Sequence, residues 1–173
     1  EKINPYFVKV EKAFKEKMKK NPDVYDQLRW THFDPKQPEF VSNGPVDMVL
    51  TFRNVHNWAK AGSAEAMFTG FAKALKPGGI LGLVEHRAKA GTPLEKQIKS
   101  GYMTEDYVVQ MAKDAGFRLD AKSEINANPK DTADHPKGVW NLLPGLRGVA
   151  DNDKANIISI GESDRMTLRF IKK

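Results

Sequence analysis

The sequence predicts an α/β fold built on a mostly parallel sheet, and three observations predict it. Val46 to Phe52 and Ile80 to Val84 are short, continuous apolar runs, the pattern of parallel strands buried on both faces. Between them lies an amphipathic helical stretch that can carry the crossover two parallel strands need. Near the C-terminus, two segments alternate apolar with polar residues, which predicts an antiparallel closing pair.

The 173 residues suffice for one domain with its own core, and the expected organisation is a single domain over 1–173. With 40% hydrophobic and 29% charged residues, the composition is that of a folded chain rather than a disordered one. No apolar run is long enough to span a bilayer. The absence of cysteine excludes disulfides, thiolate metal sites and a cysteine nucleophile. The net charge of +6 comes from lysines interleaved with acids, which reads as a solvated basic surface in preference to a nucleic-acid footprint.

In chain order, Asn4 and Pro5 are a cap and first-turn residue for a helix whose apolar stripe is Phe7, Val10, Phe14 and Met18. Asn21-Pro22 stops it. Leu28 to Phe33, rich in aromatic and apolar residues, reads as a strand ending at Asp34-Pro35. A loop with Pro38, Asn43, Gly44 and Pro45 leads to the 46–52 strand. Ser63 is placed to cap the next helix, with Ala64, Met67, Phe68, Phe71, Ala72 and Leu75 inward. Pro77-Gly78-Gly79 ends it, and Gly82 in the following strand implies close approach by a neighbour or ligand. Ala88 to Gly101 reads as a polar loop, a candidate lid. Thr104 caps a third helix and Gly116 stops it. Phe117, Leu119, Ala121, Ser123 and Ile125 form one face of a strand, and Asn126 to Asp153 is irregular. Met166, Leu168 and Phe170 lie on one face of the last strand.

In open parallel sheets, ligands bind outside the carboxyl ends of the strands. Those ends carry Arg53, Asn54, His56 and Asn57 after the first buried strand, and Glu85, His86 and Arg87 after the second. His56 is the best general base in reach because imidazole titrates near neutrality; the alternative is a histidine bonded to the loop that opens the next helix. His86 is a second base or substrate ligand; the alternative is that Glu85 and Arg87 simply pair with neighbouring loops. The spacing of His56, Glu85 and His86 fits no metal motif, and no metal is expected. In the irregular segment, which also holds His135, Trp140 either walls a substrate pocket or anchors the loop, and Arg147 suits an anionic group.

Three features resemble the second half of class I S-adenosylmethionine-dependent methyltransferases. Asp47-Met48-Val49-Leu50 is similar to their fourth strand, Leu75-Lys76-Pro77-Gly78-Gly79-Ile80-Leu81 to the turn into their fifth, and the alternating pair to their sixth and seventh. Arg53-Asn54-Val55-His56, Val84-Glu85-His86-Arg87, Ala115-Gly116-Phe117 and Ser163-Asp164-Arg165 resemble a bacterial group of methyltransferases, many of them exported. The resemblance implies a Rossmann-like methyltransferase sheet whose first two strands, with the family's glycine-rich cofactor loop, are absent from this chain. A further N-terminal segment of on the order of a hundred residues is therefore expected from half-domain size.

The resemblance also implies S-adenosylmethionine as cofactor, with Phe33, Asp34, Arg53 and Asn54 on the cofactor side. His56 and His86 would serve catalysis, and Glu85, Trp140 and Arg147 the substrate. For Phe33-Asp34 the competing reading is an Asp-Pro turn. The expected substrate is a small molecule, the acceptor is open, and a truncated sheet could pair as a homodimer. A periplasmic or exported location is favoured by the resemblance alone. The competing functions are a non-catalytic basic module binding nucleic acid or protein, and, more weakly, another doubly wound enzyme such as a nucleotide-dependent oxidoreductase.

Overall fold

A computed structural model of the chain describes residues 5–40 and 44–173. The proposed cap Asn4 and loop residue Asn43 lie outside the described residues, as does the side chain of Phe7. The chain divides into two compact units, one up to His32 and one from Phe33.

The first unit holds helix α1 (Pro5–Lys20) and a short turn of helix, α2 (Pro22–Tyr25). The Asn21 side chain donates to the Lys17 carbonyl at 2.8 Å, tying off the end of α1 at the predicted stop. Phe14 packs edge-on against Tyr25, with ring centroids 6.0 Å apart, and lies 5.5 Å from Trp30. Val10, expected on the inward stripe, is exposed.

The expected strand over 28–33 does not form. A strand needs a neighbour for its N–H and C=O groups, and among the described residues this segment has none. Asp34 instead accepts from the Lys36 N–H at 2.9 Å, and the Gln37 N–H donates to the Asp34 carbonyl at 3.0 Å, closing the Asp-Pro turn.

The second unit is organised by a four-stranded sheet of β1 (Val46–Phe52), β2 (Leu75–His86), β3 (Phe117–Ser123) and β4 (Arg165–Lys172), in the order β1-β2-β4-β3. β1 and β2 are parallel, and β4 runs antiparallel to both β2 and β3. The antiparallel terminal pair is therefore present. The sheet as a whole is mixed rather than mostly parallel, because β4 inserts between strands that share one direction. Helix α4 (Ala64–Ala74) is the crossover. Its N-cap position is Ser63 as expected, but the Ser63 hydroxyl is buried and bonds nothing.

β2 begins earlier than the apolar run suggested. Val46 pairs with Leu75 and Met48 with Ile80, so Lys76–Gly79 bulge out of register. Gly78 takes φ 75° there, and Lys76 reaches Asp47 at 2.7 Å. The turn character of that segment survives inside the strand.

Period-two alternation divides the sheet. Leu81, Leu83, Met166, Leu168 and Phe170 are buried with Met67, Phe68 and Phe71 of α4. Val108 and Ala112 of α6 (Glu105–Asp114) complete this core. Met48, Leu50 and Phe52 are half exposed on the opposite face. A Cβ on Gly82 would lie 2.6 Å from a Leu50 methyl, which accounts for glycine in mid-strand. Thr104 caps α6 as expected, its hydroxyl accepting from the Tyr107 N–H at 3.2 Å, and Gly116 follows with φ 92°.

Besides α2, three further α-helices among the described residues were not anticipated. α3 (Val55–Ala61) follows β1 directly, buries Val55 and ends at Gly62 in the left-handed region. α5 (Leu94–Ser100) replaces the expected lid loop. Buried Gln97 fixes it by accepting from the Thr104 N–H at 2.9 Å and donating to the Thr92 carbonyl at 2.6 Å. α7 (Lys154–Ile160) precedes β4. β3 bulges between Leu119 and Ala121, and Ile125, expected inward, is 82% exposed. Among the described residues, no helix is long and apolar enough to cross a membrane.

Candidate active site

β1 and β2 are hydrogen-bonded neighbours, so their carboxyl ends emerge side by side. β1 is followed by Arg53, whose N–H donates to the Val84 carbonyl at 2.8 Å. Arg53 then turns the chain with φ 56°, a left-handed conformation that costs a non-glycine residue about 1–2 kcal/mol. The turn delivers Asn54 and the first residues of α3. Burial of Val55 in the core fixes the helix rotation and directs His56 toward the end of β2.

Glu85 shares the buried parity of Leu81 and Leu83, and its side chain is fully out of solvent. Three N–H groups satisfy it. Oε1 accepts from the His86 backbone at 2.9 Å and lies 3.0 Å from His56 Nδ1, while Oε2 accepts from the His56 backbone at 3.3 Å. An ionised carboxylate can only accept, so His56 Nδ1 is the donor in this contact and Nε2 is left unengaged by Glu85.

His86 lies beside this pair, the two imidazole centroids 5.5 Å apart. Its Nδ1 is 2.5 Å from the hydroxyl of buried Ser163. Burial, aided by His56, Arg165 and Arg53, pushes the His86 pKa down to about 3, so this imidazole is neutral at physiological pH.

These groups open onto a cavity of about 410 Å³. One wall is Arg53, Asn54, His56 and His86; the other is Trp140, Pro144 and Arg147 from the irregular segment. The Trp140 ring meets His56 edge-on at 6.1 Å. A cleft of similar size, about 430 Å³, lies between residues 36–39 and α4, but its charged residues are exposed and include no buried titratable group.

The irregular segment is held by polar side chains. Asp131 accepts from the Tyr102 hydroxyl at 2.9 Å and the Asp164 N–H at 2.7 Å, and lies 2.9 Å from His135 Nε2. Arg87 pairs with Asp164 at 2.8 Å, Glu124 at 2.7 Å and Glu105 at 3.3 Å. Burial alone would raise the Asp164 carboxyl, but Arg87 and the Asn128 N–H hold it below the usual range. Arg87 thus belongs to the scaffold, as the loop-pairing alternative had it.

Of the nine residues singled out from sequence, six line this cavity: Arg53, Asn54, His56, His86, Trp140 and Arg147. Glu85 lies beneath it, against His56, and does not line it. Phe33 and Asp34 are not brought there: the Phe33 ring packs on Phe40, 4.7 Å away, which stacks on Phe71. Ser163 and Asp131 were missed. Ser163 stands in the segment Ser163-Asp164-Arg165 that carried part of the resemblance, but nothing in its sequence position ties it to His86.

His56, Glu85 and His86 offer ligand atoms within 4.8 Å of one another. As hydrogen-bonded, however, they do not suit a cation. Both Glu85 oxygens are occupied by N–H donors, His86 Nδ1 is engaged by Ser163, and the charged groups that depress His86 are cationic.

No protein-family model matches the chain, and no curated protein matches it. Solved structures match it in fold. An O-methyltransferase family protein from Burkholderia thailandensis superposes with TM-score 0.58 at 12% identity, over 94% of this chain and 41% of that one. The [4+2]-cyclase SpnF gives 0.58 at 15%, over 88% and 60%. Residues 961–1257 of the StiE O-MT give 0.54 at 16%, over 92% and 54%. The chain thus spans less than two-thirds of the length of each of these. At such identities the likeness establishes a shared fold and leaves the reaction to the site.

Proposed function

We propose that the chain contributes the acceptor side and part of the donor side of an S-adenosylmethionine-dependent methyl-transfer site, at the carboxyl ends of β1 and β2. The observation that carries this reading is His56 on the wall of a ligand-sized cavity with buried Glu85 bonded behind it, in a fold shared with methyltransferases. When bound, the cofactor supplies an electrophilic methyl group on a sulfonium.

The donors at the β1 end fit the carboxylate of such a cofactor: Arg53 and Asn54 would hold it. Phe33 and Asp34 are left out of the proposed site. His56 Nε2 is the base that takes the acceptor's proton. Glu85 positions His56, fixing its tautomer through Nδ1–H and stabilising the imidazolium as it forms. His86 stays neutral and serves as a polar contact that adds no charge near the sulfonium. Trp140 and the 139–147 wall exclude water from the reacting atoms.

Calorimetric titration of S-adenosylhomocysteine into the full-length gene product tests the donor half. Binding is expected, and its absence overturns the reading. His56→Ala is expected to lower turnover by about a hundredfold or more while leaving cofactor affinity within a few-fold. Equal losses in both would remove His56 from the role of base.

A further inference from the structure

We infer that the acceptor is a small organic anion, an apolar or aromatic body bearing a carboxylate or phosphate group, recognised by Arg147 across the cavity from His56. This rests on the methyl-transfer reading for the word acceptor; the anion site itself rests on the charges around the cavity.

Every ionic side chain that lines the cavity is cationic: Arg53 on one wall and Arg147 on the other. Among the described residues no carboxylate lines it, and Glu85, beneath it, is buried with both oxygens taken by N–H groups. Among the described residues, neither Arg53 nor Arg147 has an acidic partner within ion-pair distance, although nine other lysines and arginines do.

A third guanidinium stands close behind. Arg165 pairs with Glu162 through Nη2, but its Nε is buried without a partner. Its proton affinity is lowered by burial and by Arg53, as like charges in proximity require. Crowding positive charge around a neutral imidazole costs free energy unless a negative group completes it. A guanidinium left open on a cavity wall matches a planar carboxylate or a phosphate in two-point contact. Trp140, Leu143 and Pro144 form the apolar part of the same wall, so the anionic group and an apolar body can be held together. An acceptor seated this way places its nucleophile toward His56, which meets the Trp140 ring edge-on.

The test uses benzoate and phenyl phosphate as probes, with benzamide and benzyl alcohol as neutral isosteres, titrated into the full-length protein by NMR with and without saturating S-adenosylhomocysteine. At least one acid is expected to bind about tenfold or more tightly than its neutral counterpart. It should do so equally with the cofactor product present, and the acid that binds better identifies the group. Arg147→Gln should remove that preference while S-adenosylhomocysteine affinity holds, and Arg147→Lys should restore part of it. Equal binding of neutral isosteres overturns the inference. So does competitive displacement of the acids by S-adenosylhomocysteine, which would assign the guanidiniums to the cofactor's own carboxylate. If the acids bind and S-adenosylhomocysteine does not, the anion site stands and the methyl-transfer reading falls.

Discussion

A carboxylate taken wholly out of water costs several kcal/mol unless its lone pairs are met. Glu85 meets them with three N–H groups, two of them from the backbone of the residues it organises. Glu85→Gln keeps the shape but sets an NH₂ against N–H donors. It is expected to lower unfolding free energy by about 1–3 kcal/mol and turnover by about a hundredfold, with S-adenosylhomocysteine affinity little changed. Urea unfolding and steady-state kinetics would read the two effects separately, and unchanged turnover would remove Glu85 from the role given to it. His86 makes a different prediction. Its folded pKa is about 3, against roughly 6.5 in the unfolded chain, so between those values the unfolded state binds the extra proton. Its contribution is present above pH 6.5 and drains away as pH falls toward 3, at up to about 1.4 kcal/mol per pH unit. The difference in pH dependence between the wild type and His86→Asn isolates this contribution, and an imidazole NMR signal flat from pH 8 to 5 would identify the neutral ring. A signal that titrates near 6.5 would refute it.

At the scale of elements, the sequence made legible whatever is written in period and punctuation. The β1–α4–β2 crossover, the Thr104 cap, the Gly116 stop and the antiparallel pair are present as the pattern predicts, although Leu75 to Gly79, read as helix end and turn, belong to β2. α3 was equally visible in retrospect. Val55, Trp58 and Ala59 are helically spaced and Gly62 ends them, but polar Arg53, Asn54 and Asn57 read as a strand end. α5 was hidden by its polarity, because a single buried glutamine rather than an apolar stripe fixes it. The 28–33 segment failed for another reason: strand propensity is realised only against a neighbour. The cavity was legible at Arg53, Asn54, His56 and His86 because strand ends are predictable, and at Trp140 and Arg147 from residue type alone; it was silent at Ser163 and Asp131 because their contacts, with His86 and Tyr102, span 77 and 29 residues of sequence. The cavity's second wall depends on Gly138. It takes φ 58°, and a Cβ there would fall 1.9 Å from the Ser100 carbonyl oxygen. Gly91 has φ 74° with open space around it. Gly91→Ala is therefore expected to cost only the left-handed penalty of about 1–2 kcal/mol. Gly138→Ala adds a backbone clash, for a total above about 3 kcal/mol by urea unfolding, and weakens ligand binding by displacing Trp140. Equal costs at the two sites would mean that the wall yields and Gly138 is there for its φ alone.

For the sheet-bearing unit as a whole, the two faces of the sheet are unequal. One carries the core. The other presents Met48, Leu50 and Phe52 at 50%, 58% and 56% exposure, around a hollow of about 360 Å³ that Ile80, Val84, Thr167 and Arg169 also line. β1 is at the same time an edge of the sheet, with β2 its single neighbour among the described strands. Apolar side chains on an edge strand favour association over solvation. Because these side chains are half in solvent, replacing them should leave folding nearly untouched. Leu50→Thr with Phe52→Thr is expected to change unfolding free energy by less than about 1 kcal/mol. The same variant should reduce self-association in sedimentation velocity and lower the fluorescence of a hydrophobic dye. The anion cavity lies at the strand ends, so probe binding there should persist. A loss of more than about 2 kcal/mol would instead show the face to be packed in solution, since only buried apolar area returns that much on removal. A wild-type protein that stays monomeric, or association unchanged by the substitutions, would refute this reading of the face.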